Sequence, residues 1–71
     1  MSAASSVLLA VANELASSAK SNLPELNDGE KVQREWYENG VFYRETALDG
    51  NTFRYLYDFR QRKSRRVAVL G

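Results

Sequence analysis

The chain contains no cysteine and no histidine, and those two absences exclude more than any residue present suggests. Without thiols there is no disulfide, no thiol nucleophile and no thiolate metal site. Without imidazole, the commonest general base at neutral pH and the commonest nitrogen ligand for a metal are missing as well. Such a fold requires no oxidising compartment. Long apolar runs are also lacking. Val7-Leu8-Leu9-Ala10-Val11-Ala12 is far shorter than the ~20 residues that span a bilayer, and no basic residue precedes it as in a secretory leader. The expectations are a cytoplasmic protein with no membrane partner, no metal, no cofactor and no small-molecule substrate.

Seventy-one residues make room for one domain, 1–71, which buries only roughly 60% of the surface its unfolded chain exposes. A deep pocket has little core to sit in. The net charge is +1, unevenly spread. Residues 1–30 set Lys20 against Glu14, Glu25, Asp28 and Glu30, whereas residues 31–71 carry nine basic and five acidic side chains. That balance falls short of the basic footprint of a dedicated nucleic-acid binder.

Leu8, Val11, Ala12, Leu15 and Ala19 recur at the spacing of one helix face, with Ser5 or Ser6 as N-cap and Lys20 in the last turn, predicting a helix over 5–21. Its surface is rich in Ala and Ser, which permits close approach to another element. Pro24 and the Asn27-Asp28-Gly29 cluster mark residues 22–29 as a connection that Leu23 and Leu26 pin to the core. Beyond it, β-branched and aromatic residues alternate with turn dipeptides, predicting strands over 30–38, 41–48, 52–60 and 66–70. The fold class expected is α+β, an N-terminal helix packed on a three- to four-stranded antiparallel β-meander.

Register can be tested on the sequence itself. A two-residue turn on Asn39-Gly40 sets Trp36 opposite Tyr43, Glu35 opposite Arg44 and Arg34 opposite Glu45, whereas a three-residue loop sets Arg34 against Arg44. The first is favoured. At Asp49-Gly50 two readings stay open. A two-residue turn pairs Glu45 with Arg54 and puts Phe53, Tyr55, Tyr57 and Phe59 on the face opposite Val32, Trp36, Val41 and Tyr43. A bulged three-residue loop puts them all together. A basic turn around Lys63-Ser64 leads to the last strand.

Three features bear on function. The stripe Phe53-X-Tyr55-X-Tyr57-X-Phe59, interleaved with Arg54 and Arg60, reads first as core or homodimer packing and second as a platform for stacking on bases. The window of Arg60, Arg62, Lys63, Arg65 and Arg66 reads as a solubilising turn or as a phosphate-contacting hairpin. Trp36 reads as core, with Val32 and Val41 on its face. No paired carboxylates, metal-ligand spacing or phosphate-cradling glycine loop is present. The expectation is a non-enzymatic protein-interaction or assembly module, of the size of a bacterial or phage accessory protein, that self-associates or takes a protein partner. The alternative is a nucleic-acid-binding module using Arg54, Tyr55, Tyr57, Arg60, Arg62, Lys63, Arg65 and Arg66.

Overall fold

The computed structural model describes residues 3–70, with side chains from residue 13 onward. Helix α1 (Ala3–Asn22) is followed by β1 (Lys31–Glu38), β2 (Val41–Leu48), β3 (Asn51–Asp58) and β4 (Lys63–Val69). The strands form one antiparallel sheet in the order β1-β2-β3-β4, the expected α+β meander in its four-stranded form. Among the described residues, no helix is long and apolar enough to cross a membrane.

The helix runs one residue past its expected end and begins before Ser5. The hydroxyl of Ser21 and the amide of Asn22 turn back onto the carbonyls of Ser17 (3.0 Å) and Ser18 (2.8 Å), occupying acceptors that a helix end leaves open. Pro24 then prevents continuation. Ala19 is completely buried and Leu23 nearly so, with Ala16 beside them. Leu15 is half-buried, and the side chains of Leu8, Val11 and Ala12 lie outside the described residues. Leu23 pins the connection as expected. Leu26 does not: it is 39% exposed.

Both tight hairpins adopt the type I′ geometry that Asn-Gly and Asp-Gly favour, with positive φ at Asn39 and Gly40 and at Asp49 and Gly50. In the first, Glu38↔Val41, Trp36↔Tyr43, Glu35↔Arg44 and Arg34↔Glu45 pair as the sequence predicts. The second settles the open register: Leu48 pairs with Asn51 and Glu45 with Arg54, the two-residue turn. The sheet therefore has two distinct faces. One carries Phe42, Tyr55, Tyr57 and Phe53; the other carries Trp36, Tyr43 and Leu56.

Three expectations are corrected here. The last turn lies at 59–62, not around Lys63-Ser64, so Lys63 and Ser64 belong to β4. The Asp58 carboxylate makes this turn by accepting the backbone N–H groups of Arg60 (2.9 Å) and Gln61 (3.3 Å), while Arg62 takes a left-handed φ of 54°. Val32 does not share the Trp36 face, because a bulge between Val32 and Arg34 moves it into register with Thr46 and leaves it 44% exposed. Trp36, expected in the core, is only half-buried, because the helix covers the stripe face, which fits the core reading of the stripe. Ala19 and Leu23 form one cluster with Phe42, Tyr55 and Tyr57, flanked by Ala16, Phe53 and Phe59. Ala16, Ala19 and Leu23, at the C-terminal end of the helix, are the described helix-side residues of this cluster.

Candidate interaction surface

The stripe face is closed by a polar network as well as by rings. Glu30, just before β1, buries its carboxylate completely. Thr46 and Tyr55 donate their hydroxyls to it, the latter at 2.7 Å, and Asn27 donates its backbone N–H (2.9 Å) and side-chain amide (3.1 Å). Arg66 donates from Nε to the Tyr55 oxygen (2.9 Å) and lies 3.7 Å from Glu30. Burial alone would raise the Glu30 pKa. The hydrogen bonds from Thr46, Asn27 and Tyr55 outweigh it and hold the carboxyl at about 2, well below its ordinary 4.5. Burial and the hydrogen bond to Glu30 push the Tyr55 phenol upward in turn.

This network decides what several candidate contact residues can do. Tyr55 is 0% exposed and Tyr57 9%, so neither presents a ring to a base, and that part of the stacking reading is corrected. Arg66 is drawn inward. Its guanidinium lies over Phe53 at 3.9 Å and near Tyr55 at 5.5 Å, which separates it from the other basic residues of its window. Arg60 is spent locally, bonded to Asp58 at 3.3 Å with its side chain laid against Gly40. Nothing local to Glu30 marks it for burial, since its partners Thr46 and Tyr55 arrive 16 and 25 residues later.

The opposite face has no covering element among the described residues. At its centre Trp36 stacks on Tyr43, centroids 5.0 Å apart and planes 14° from parallel. Trp36 is half-buried, not core. Arg34 lies over the indole at 4.3 Å and Arg54 at 5.3 Å, and both guanidiniums bond Glu45, at 3.1 and 2.8 Å. These two pairings hold the Glu45 carboxyl below its usual range and fix a ladder Arg34-Glu45-Arg54 across three strands. Nε of Arg54 is shielded from solvent without a hydrogen-bond partner. Its compensation is the indole face.

Towards β4 the same face continues through Leu56 to Arg65 and through Arg54 to the exposed Val67. A shallow cleft lies there, lined by Leu56, Asp58, Gln61, Lys63, Ser64 and Arg65. Of the eight candidate contact residues, the structure therefore brings Arg54, Lys63 and Arg65 onto one open surface with Trp36 and Tyr43. Arg62 stands at the neighbouring turn, while Tyr55, Tyr57 and Arg66 face the helix side. Among the described residues, no group of three acidic side chains could hold a metal ion.

Comparison with known proteins yields no match to a family model, to a curated sequence or to a solved structure. The geometry of the open face thus carries the functional reading.

Proposed function

We propose that this chain is a non-enzymatic interaction module that docks a protein through the open face of its sheet. The observation that carries the proposal is the uncovered Trp36–Tyr43 stack, bracketed by Arg34 and Arg54 and continued by Leu56, Val67 and Arg65. Trp, Tyr and Arg are the residues that dominate binding energy at protein interfaces, because each combines a large apolar surface with a polar edge. Here the arginines are already ordered by Glu45, so docking costs little of their rotamer entropy. The basic residues outnumber the acidic ones on this face and its adjoining turn, which suits a partner surface that pairs apolar groups with carboxylates. A cytoplasmic setting belongs to the same proposal, resting on a cysteine-free fold.

A displayed random-peptide library panned against the protein tests the proposal. Recovered peptides should be acidic and aromatic, should shift the amides of Trp36, Tyr43, Leu56 and Arg65, and should lose at least about tenfold in affinity with Leu56→Glu. Peptides that shift only residues elsewhere, or that ignore Leu56→Glu, would overturn it.

One observation favours a second reading. Lys63 and Arg65 share the face of the half-buried indole, which gives single-stranded nucleic acid a stacking ring beside two phosphate contacts. An oligonucleotide pool that shifts Trp36, Lys63 and Arg65 at physiological salt would establish it. Shifts that vanish with salt would leave only nonspecific charge attraction.

A further inference from the structure

We propose that the cleft between α1 and the outer edge of β1 binds a small monocarboxylic acid with a short apolar body. The site is separate from the open face and does not rest on the reading of that face. Among the described residues, the cleft has a volume of about 350 Å³ and takes its apolar lining from Leu15 and Ala16 of α1, Trp36 and Tyr37 of β1 and Phe42 of β2.

The cleft forms where helix and sheet part. Tyr37 and Phe42 are cross-strand partners on the helix side of the sheet. Ala16 packs at the margin of the core cluster, and its methyl group leaves open the space that a larger side chain would take. Trp36 belongs to the opposite face, so it reaches the cleft only at the strand edge. β1 is an outer strand, and no further strand closes that side among the described residues. The cleft thus lies at the border of the core and not within it, which is how so short a chain has room for one.

Charge enters the lining only through Lys20 and Glu35. Glu35 holds two cations at once, Nε of Arg44 at 2.9 Å on one oxygen and Nζ of Lys20 at 3.1 Å on the other. Partial burial would raise the Glu35 pKa, but the hydrogen bonds from Arg44 and Lys20 outweigh it and keep the carboxyl below its usual range. One ionised carboxylate against two cations leaves a surplus positive charge at the cleft. That surplus belongs to Lys20, because the Arg44 side chain is 13% exposed and lies behind Glu35, whereas that of Lys20 is 46% exposed. An ammonium has three donors, and Lys20 gives one to Glu35 among the described residues. Another can turn to an incoming carboxylate while the ion pair stays intact.

Volume and charge together select the occupant. At roughly 30 Å³ for each non-hydrogen atom the cleft holds about a dozen of them, the size of an octanoate or indole-3-acetate ion. Aliphatic and aromatic walls with one convergent charged donor are the usual form of a small-ligand site. A cation meets the surplus charge and is repelled. A neutral apolar molecule fills the walls but leaves the ammonium unused, and a dianion brings more charge than Lys20 can balance.

Three probes of equal length and different charge test the proposal: octanoate, 1-octanol and octylammonium, each titrated into the isotopically labelled full chain. Octanoate should shift the amides of Ala16, Lys20, Tyr37 and Phe42 saturably and bind about tenfold or more tighter than 1-octanol, with octylammonium weakest. Lys20→Gln should bring octanoate down to the level of 1-octanol without changing the latter. Leu15→Trp, which fills the cleft, should abolish binding of both. Should Leu15→Trp misfold, Lys20→Gln still decides the matter, because it alters an exposed side chain. Equal binding of the three probes, octanoate shifts confined to other residues, no saturable shift at millimolar octanoate, or an unchanged preference in Lys20→Gln would overturn the proposal. A peptide with a C-terminal leucine carboxylate that binds more tightly than octanoate would overturn the free-acid assignment in favour of a protein terminus. Neither result touches the open-face reading, whose probe, Leu56→Glu, lies on β3 and should leave octanoate binding as it is.

Discussion

Glu30 shows how far a single side chain can depart from what its letter suggests. An acidic residue at a loop end reads as solvated, yet its carboxylate is fully buried and holds together the 22–30 connection, β2, β3 and β4 through Asn27, Thr46, Tyr55 and Arg66. Removing one partner of such a group leaves the others buried and unpaired, which costs more than the bond itself. Glu30→Gln should therefore lower stability by about 2–4 kcal/mol in urea denaturation, and Tyr55→Phe by about 1–3 kcal/mol by removing one hydrogen bond each from Glu30 and Arg66. The pH dependence has a definite sign. The Glu30 pKa is about 2 in the folded chain against 4.5 ordinarily, so the unfolded chain binds the proton first as pH falls. Stability from this group is complete above about pH 5 and lost progressively towards pH 2, amounting to about 3 kcal/mol. Denaturation midpoints at pH 7 and pH 3 should converge in Glu30→Gln relative to wild type; an unchanged difference would remove Glu30 as the source.

At the scale of elements, legibility tracked local chemistry. Asn39-Gly40 and Asp49-Gly50 announce their turns because type I′ geometry needs positive φ at both positions, and the charge pairs Arg34–Glu45 and Glu35–Arg44 then fix register. The 59–62 turn has no glycine or proline. It is made by the Asp58 carboxylate and by Arg62 in a left-handed conformation, so composition placed β4 three residues late. The bulge at Gln33 is equally silent in the sequence, and it misplaced Val32. Which face α1 would cover was not legible either, because both faces carry aromatics; Ala19 and Leu23 pack with Phe42, Tyr55 and Tyr57. Glycine substitutions test the turns. Gly50→Ala, with φ +80 and open space around it, should cost about 1 kcal/mol from backbone strain alone. Gly40→Ala should cost more, because its new Cβ would also meet Arg60 at 3.3 Å. Equal thermal shifts for the two would show that Arg60 does not rest there in solution.

For the molecule as a whole, the organisation is one of unequal faces. One face of the sheet is spent on stability, sealed by α1, by the Tyr55 and Tyr57 rings and by the Glu30 network. The other keeps a stacked Trp36–Tyr43 pair among ordered arginines, with no helix or second sheet over it among the described residues. The basic residues that the sequence grouped as one window divide between these sides, Arg66 to the interior network and Lys63 and Arg65 to the open face. Trp36 is the only tryptophan, so its fluorescence reads the open face without interference from another indole. The most direct measurement is its emission maximum and acrylamide quenching in dilute protein shown by sedimentation to be monomeric. A red-shifted, quenchable indole that turns blue and protected when a binding peptide is added is the result predicted. A blue, quench-resistant indole in the free monomer would mean that the Trp36 face is already covered, and would contradict the account.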